Sequence, residues 1–278
     1  MKKILLFVLC ALIAVSASLG LTACGKTKIG VQSGTTGQYY VDGDEDWGFD
    51  GIEGYKAKGY ANGGLAVQDL KNGAVKYVVI DNDPAMRLQA SVEGIKVIPI
   101  PLTVEEYAFG VDKAQGDLLT AINDILTNPV YMAKIALIYT AYATGIGITP
   151  VESAEFDASK TDKQLVVATN ANFAPFEYKE GNKFAGIDME IAKLIADALD
   201  MELVIKDMEF DSVVTSVGKG GVDVAMAGLT VNEKRKESVN FTKSYYDAAQ
   251  VIITLAEDTS FDACETADDV LAVLAANK

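Results

Sequence analysis

The chain has 278 residues, half of them apolar, which is enough to bury the cores of one or two domains. Its formal net charge is −15, and it contains no histidine. Such an acidic protein repels phosphate backbones, so nucleic acid is not expected as a partner. The lack of histidine excludes Ser-His and Cys-His catalysis and the commonest zinc ligand. We expect neither a cofactor nor a metal.

The chain begins with a candidate secretion signal. Lys2 and Lys3 precede the apolar run ILLFVLCALIAVSASLGL. This pattern is typical of a secretion signal, or of a membrane anchor if the run is retained. The LTAC stretch ending at Cys24 favours cleavage. Only Cys264 lies in the body of the chain, and one thiol cannot build a disulfide framework.

Residues 20–27, GLTACGKT, also satisfy the phosphate-binding pattern GxxxxGK[ST]. A phosphate loop needs a buried strand before it and a helix after it. Here the signal precedes the pattern, and KIGVQS (28–33) alternates as a strand does. The sequence therefore disfavours a phosphate loop at this position, and a second glycine turn, SGTTG (33–37), follows closely.

Strand-like and helix-like segments alternate after Lys28, which is the pattern of an α/β protein. Strands are predicted at 28–32, 55–60, 75–81, 95–102, 165–170, 201–208, 222–229 and 249–255. Helices are predicted at 84–94, 116–126, 212–221 and 270–278. Others are predicted to start within GTTGQYYV and after the candidate caps Asn62, Asp188 and Asn232. A buried helix is predicted early in 130–150. Residues 150–164 are polar and unpatterned, so they are the linker candidate.

Arg235 is a candidate for binding an anion. The strand 222–229 ends near Gly228, at the edge where α/β sheets bind ligands. Helical side chains lean toward the helix N-terminus, so the guanidinium of Arg235 can return to the Thr230 hydroxyl. A planar fork beside a hydroxyl suits a small carboxylate. A solvated arginine on a surface helix is the alternative.

Other segments supply complementary groups. SGTTG places two hydroxyls where a strand ends and a helix begins, and a plain capped turn is its alternative. Asp81 ends an apolar strand and serves either as a carboxylate for an ammonium or as a helix cap. Phe173 and Phe176 are aromatic walls or ordinary core residues. An anion fork, a carboxylate and aromatic walls together suit a free α-amino acid.

Longer stretches then resemble a known family. VATNANFAPFEYKEGNKFAGIDMEIAKLIADAL and FDSVVTSVGKGGVDVAMAGLTVNEKRKESVNFTKSYY are similar to the first lobe of polar amino-acid-binding proteins of ABC transporters, the extracellular solute-binding proteins of family 3. KIGVQSGTTGQYYV and VKYVVIDNDPA resemble that family's second lobe. The family's usual order is reversed here, so the chain resembles a circular permutation. LTAC resembles the bacterial lipobox.

The resemblance implies an α/β, two-lobe, periplasmic-binding-protein-like fold of type II in circularly permuted form. The implied segments are a lipoprotein signal peptide (1–23), a split lobe 2 (24–100 and 256–278), and lobe 1 (101–255, in which 130–164 join the family's usual termini). The hinges are expected near Pro101 and Leu255.

The resemblance also implies a ligand-binding set. The implied contacts are Arg235, Thr230, Gly228 and Thr36 for the α-carboxylate, Asp81 for the ammonium with help from Gly228 and Thr230, Phe173 and Phe210 around the side chain, and Asn170, Gln32 and Thr35 for its identity. Members that select cationic ligands often carry an acid at the position of Asn170. A neutral polar ligand such as glutamine is therefore expected.

We accordingly expect a substrate-binding lipoprotein, anchored to the cell membrane through Cys24, rather than an enzyme. It would capture a free amino acid by hinge closure and deliver it to an ABC permease with its cytoplasmic ATPase. It would act as an extracytoplasmic monomer, on a Gram-positive surface rather than in a periplasm. One alternative is a periplasmic dehydratase-type enzyme on the same fold, although no histidine or paired-carboxylate motif supplies an acid or base. Another is a ligand-sensing surface lipoprotein or adhesin.

Overall fold

The computed structural model describes residues 26–278. The predicted signal peptide and Cys24 lie outside these residues. The described chain forms two α/β lobes, each built on a five-stranded sheet. A strand, not a helix, follows Lys26, so the order of elements that a phosphate loop requires does not occur.

Lobe 2 contains the first strands of the chain. Its strands are β1 (Thr27–Gln32), β2 (Tyr55–Tyr60), β3 (Tyr77–Asp81), β4 (Ile95–Ile98) and β15 (Gln250–Leu255). They lie in the order β2-β1-β3-β15-β4. Its helices are α1 (Thr36–Asp42), α2 (Gly63–Lys71), α3 (Asn82–Ser91) and α9 (Ala267–Ala276), with a 3-10 turn at Glu45–Trp47.

Lobe 1 repeats this arrangement. Its main strands are β6 (Gly110–Asp112), β7 (Gln164–Thr169), β11 (Glu202–Asp207), β12 (Val224–Ala225) and β13 (Val239–Phe241), in the order β11-β7-β12-β6-β13. A small sheet of β8 (Asn172–Phe173), β9 (Glu177–Glu180) and β10 (Lys183–Ala185) lies beside them. The helices are α4 (Gly116–Thr127), α5 (Pro129–Thr144), α6 (Ile187–Ala198), α7 (Phe210–Ser216) and α8 (Glu233–Lys236).

Two adjacent crossings connect the lobes. Strands β5 (Glu105–Tyr107) and β14 (Tyr246–Ala248) pair antiparallel to each other between the two large sheets. After β5 the chain enters lobe 1 as β6, and after β14 it enters lobe 2 as β15. Both entering strands run antiparallel to their neighbours. The two lobes therefore share one topology, which is the two-lobe type II periplasmic-binding-protein fold.

The second crossing differs from its predicted position. The expectation placed residues up to 255 in lobe 1 and a hinge near Leu255, but β15 pairs with β3 and β4 of lobe 2. Its residues Val251, Ile252 and Ile253 are at most 2% exposed, so the strand needs apolar neighbours on both faces. The crossing lies at β14, before Gln250.

Most predicted elements are confirmed, with shorter boundaries in places. Strand β12 covers only part of 222–229, although those residues are largely buried. Asp188 does not cap its helix, because α6 begins at Ile187 with Gly186 at the cap position. A Cβ at Gly186 would lie 2.0 Å from the carbonyl oxygen of Phe176, so the close contact requires glycine.

Helix α5 is not the buried helix that its apolar sequence predicts. Val130, Met132 and Leu137 are 64%, 52% and 69% exposed. Only one side of the helix packs, because α5 lies on the outer surface of lobe 1 against α4 and α6. Near its end, the carbonyl oxygen of Tyr142 accepts a hydrogen bond from Arg87 of α3, which joins the two lobes.

Candidate functional site in the cleft between the lobes

The SGTTG turn brings polar groups of lobe 2 to the cleft. Strand β1 ends at Gln32, and Gly34 has a φ of +74°, a value that favours glycine. The N–H of Gly34 donates to Oε1 of Gln38 at 2.8 Å, and Oγ1 of Thr35 donates to the carbonyl of Gln32 at 2.8 Å. These bonds fix the turn, so Thr36 begins α1 with its side chain buried in the cleft.

Arg235 lies in lobe 1 where the sequence predicted it. Asn232 caps α8 by accepting from the backbone N–H of Arg235 at 2.8 Å. The guanidinium then turns back, and its Nη1 donates to the carbonyl of Thr230 at 2.9 Å. Arg235 is 7% exposed, and this burial lowers its pKa to about 10, so it stays charged at neutral pH. The solvated-arginine alternative is wrong.

The predicted ligand-binding residues converge on one small cavity. Nine of the ten line it: Gln32, Thr35, Thr36, Asp81, Phe173, Phe210, Gly228, Thr230 and Arg235. The cavity measures about 10 Å³, roughly the space of one water molecule. An amino acid is far larger, so the lobes must separate to admit one.

Hydrogen bonds between the lobes hold this cavity closed. Nε2 of Gln32 donates to Oδ1 of Asn170, the tenth predicted residue, at 3.0 Å. The hydroxyls of Thr36 and Thr230 meet at 3.2 Å. Arg235 reaches across with Nη2 to the carbonyl of Gly34 at 3.3 Å. Each bond joins one lobe to the other, so the cavity is complete only when the lobes meet.

Asp81 is not a helix cap in the usual sense. It occupies the cap position of α3, yet its side chain makes no capping bond there. Its Oδ1 instead accepts from the hydroxyl of Tyr107 at 2.5 Å. Burial, followed by the nearby charge of Glu105, raises the pKa of Asp81 to about 7. A cationic group beside Asp81 would restore its ionised form.

Glu105 and Tyr107 are cleft residues that the sequence reasoning missed. The carboxylate of Glu105 accepts from Oγ1 of Thr230 at 2.6 Å and from Nε2 of Gln250 at 3.1 Å. Glu105 and Tyr107 point inward while Glu106 is exposed, as expected for alternate residues of a strand. This alternation in VEEY is the sequence pattern from which both could have been predicted. The cleft thus holds two buried carboxylates, contrary to the expectation of no paired carboxylates.

Gly228 allows an aromatic ring to approach the backbone. Its φ is +54°, and a Cβ there would lie 2.9 Å from the ring of Phe173. The N–H of Gly228, implied to hold a ligand, donates to Oδ2 of Asp188 at 2.9 Å. Asp188 also accepts from the hydroxyl of Tyr245 at 2.6 Å, and burial raises its pKa to about 7. Asp188 therefore supports the floor of the site instead of capping α6.

Two further features bear on the site. Across residues 26–278, no cluster of three or more acidic or cysteine side chains could hold a metal ion. Within the same range, no helix is long and apolar enough to cross a membrane.

Residues 165–276 match the family described as bacterial extracellular solute-binding proteins, family 3. This segment contains the site residues of lobe 1, whereas Gln32, Thr36 and Asp81 of lobe 2 lie outside it.

Individual relatives match a similar share of the chain. The arginine-binding extracellular protein ArtP of Bacillus subtilis is 33% identical over 44% of this chain and 48% of its own length. The cyclohexadienyl dehydratase of Pseudomonas aeruginosa is 29% identical over 37% of this chain and 40% of its own length. The solved arginine-bound form of truncated ArgBP from T. maritima is 38% identical, with 33% of this chain and 43% of that chain covered and a TM-score of 0.30.

The chain therefore aligns with about half the length, or less, of the relatives it matches. The matched segment runs from β7 of lobe 1 into α9 of lobe 2, and so through both lobes. Over residues 165–276, the chain is similar to the bacterial extracellular solute-binding proteins of family 3.

Proposed function

We propose that the protein is the substrate-binding lipoprotein of an amino-acid ABC importer. It captures a free L-amino acid between its lobes by hinge closure and delivers it to the permease. The observation that carries this proposal is the cleft itself, where Arg235 and Asp81 belong to opposite lobes and line one cavity. A zwitterion contacts both only when the lobes close, so its binding favours the closed state.

The side-chain end of the cavity supports a neutral polar ligand. Gln32 and Asn170 are 2% and 3% exposed and carry amides instead of charges. Asn170 donates from Nδ2 to the carbonyl of Met208 at 2.7 Å, which fixes the direction of its amide. Within the described residues, Oε1 of Gln32 accepts no hydrogen bond. A ligand side chain with an N–H or O–H donor would satisfy this buried acceptor.

The test is a thermal-shift screen of the twenty L-amino acids, followed by calorimetry of those that bind. A ligand at 100 times its Kd adds about 2.7 kcal/mol of stability. Arg235→Ala and Asp81→Ala should each abolish binding, and Lys236→Ala on the same helix should not. Unchanged affinity in either site variant would refute the site. Preferred binding of L-arginine, the ligand in the name of the B. subtilis relative, would refute only the neutral ligand.

The proposal includes circular permutation and lipid anchoring. The permutation is supported by the position of Thr27 and Lys278 beside the same turn of lobe 2: Thr27 N–H donates to the carbonyl of Gly54 at 3.1 Å, and Lys278 pairs with Glu53 at 2.8 Å. A variant that joins residue 278 to residue 28 and opens new ends between 130 and 164 should keep its ligand affinity. Cys24→Ala should release the protein from membranes.

A dehydratase-type enzyme is the second candidate, because one relative carries that name. Asp81, with its pKa near 7, could exchange a proton in a cleft that also holds Glu105. Incubation with prephenate-like acids distinguishes the two candidates. Formation of a dehydrated product that Asp81→Asn abolishes would favour the enzyme, and reversible binding of an amino acid alone would favour the transporter.

A further inference from the structure

A loop of lobe 2, residues 43–51, reaches across the cleft; we call it the lid loop. Its neck is closed by two backbone bonds between Asp44 and Phe49, at 2.8 and 3.0 Å. Gly43 and Gly51 have φ values of +80° and +81°, and a Cβ on either would come within 2.8 Å of the opposite strand of the neck. Asp44 also accepts from the backbone N–H groups of Asp46 and Trp47. The loop therefore presents Trp47 in a fixed position.

Trp47 lies between an aromatic ring of its own lobe and a cation of the other. Its ring stacks on Tyr39 with centroids 4.2 Å apart and planes 16° apart. The central guanidinium carbon of Arg235 lies 5.1 Å from the Trp47 ring and 5.4 Å from the Phe210 ring. An aromatic ring from each lobe thus contacts the guanidinium.

Arg235 also separates two spaces. It lines the 10 Å³ inner cavity and a 380 Å³ groove at the mouth of the cleft. Trp47 and Tyr39 line the mouth groove and do not line the inner cavity. Trp47 is therefore placed on the solvent side of the guanidinium.

We propose that Trp47 is a positioning residue for Arg235, and that the lid loop shields the guanidinium from water when the lobes close. Aromatic contacts with the guanidinium face leave its edge donors free. Two of the five N–H donors bind Thr230 and Gly34, so three remain for a carboxylate. Excluding water strengthens this ion pair. The inference rests on the proposed function for its ligand, but the Trp47–Arg235 contact can be tested without one.

The first test uses the fact that Trp47 is the only tryptophan of the chain. Its emission therefore reports directly on the lid loop. In the absence of any amino acid, Arg235→Met should shift the emission to longer wavelength and raise the acrylamide quenching constant about twofold. Lys236→Met is the control and should change neither. Because the lobes are closed in this structure, Trp47 of the wild-type protein should already emit at short wavelength. A solvent-exposed emission of the wild type, or an unchanged spectrum in Arg235→Met, would overturn the contact.

The second test measures affinity for L-glutamine and L-arginine by calorimetry. Trp47→Leu should raise the Kd about tenfold, as expected for loss of a shielded cation–π contact, and Trp47→Phe should raise it less. Phe49→Leu, whose ring packs on Tyr40 within lobe 2, should stay within about twofold. Wild-type affinity in Trp47→Leu would overturn the positioning role and leave the proposed function intact. If the wild-type protein binds no amino acid, the proposed function and the positioning role both fail, while the emission test still decides the contact.

Discussion

Gln32 of lobe 2 donates a hydrogen bond to Asn170 of lobe 1 at 3.0 Å, and both side chains are nearly inaccessible to solvent. This bond places two amides from opposite lobes at the same end of the cavity. In the proposed function this end of the cavity receives the ligand side chain, and both residues that meet there are neutral.

Asn170→Asp should change the ligand preference. The substitution adds a buried negative charge beside Gln32, which favours a cationic side chain. We expect the ratio of affinities for L-arginine and L-glutamine to rise at least tenfold, measured by calorimetry. Asn172→Asp adds the same charge at an exposed position two residues away and should leave the ratio unchanged. An equal effect of both variants would mean that long-range charge, not this contact, sets the preference.

Binding should weaken as the pH falls through 7. Asp81 has a pKa of about 7 and must be ionised to hold an ammonium. Below that pH the ionised fraction falls about tenfold per unit, and the measured affinity should fall with it. Asp81→Asn should bind weakly and without this pH dependence, while Asp83→Asn should keep it. A pH-independent Kd between 5.5 and 8 in the wild-type protein would contradict the role of Asp81.

Gly34→Ala should disturb closure more than stability. A Cβ at Gly34 would lie 1.9 Å from the Oδ1 atom of Asp211 in lobe 1. Gly73 has nearly the same φ, +73° against +74°, and apart from Gly73 itself and its two chain neighbours no described residue has a heavy atom within 4 Å of its added Cβ. Both alanine variants should lose about 1–2 kcal/mol of stability from the left-handed backbone. Only Gly34→Ala should also raise the Kd, by about tenfold or more, in a titration with the best amino acid of the screen.

Glu177→Gln should stabilise the ligand-free protein at high pH. Glu177 is 0% exposed, and among residues 26–278 neither carboxylate oxygen has a hydrogen-bond partner. Burial, followed by the charges of Asp188 and Asp81, raises its pKa well above the usual value. The folded state therefore holds a proton that the unfolded state loses, and stability falls as the pH rises through that interval.

Glutamine removes this loss, so the melting temperature of Glu177→Gln should exceed that of the wild type at pH 8 and match it near pH 4. The expected gain is about 1–3 kcal/mol. Glu180→Gln, exposed on the same strand, should show no such divergence. A melting temperature of Glu177→Gln below that of the wild type at both pH values would contradict this prediction, because it would mean that the folded protein stabilises the carboxylate of Glu177.

The sequence predicted the parts of the site that depend on local geometry. Arg235 lies one turn inside a helix, and the lean of helical side chains suffices to return its guanidinium to Thr230. Strands β3 and β7 could also be predicted from local sequence. Each is a run of consecutive, mostly apolar residues, which is the pattern of a strand buried on both faces.

What the sequence could not predict depends on contacts between distant segments. Strand β15 is apolar enough for either sheet, and only its pairing with β3 and β4 assigns it to lobe 2. Trp47 lies in an acidic loop without periodicity, and its partner Arg235 is 188 positions away in the other lobe. Contacts between such distant segments can be identified only from the folded structure.

The paired strands β5 and β14 have a mechanical consequence. Glu105 and Tyr107, which contact Thr230 and Asp81, lie on this connection between the lobes, and the proposed hinge closure turns about it. Residues near an axis of rotation move the shortest distance. Arg235 and Gln32 lie farther from this axis, so they would move farther when the lobes close. In the proposed function, the part of the binding surface near Glu105 and Tyr107 would therefore keep nearly the same position in the open and closed states. The part formed by Arg235 and Gln32 would reach the ligand only on closure.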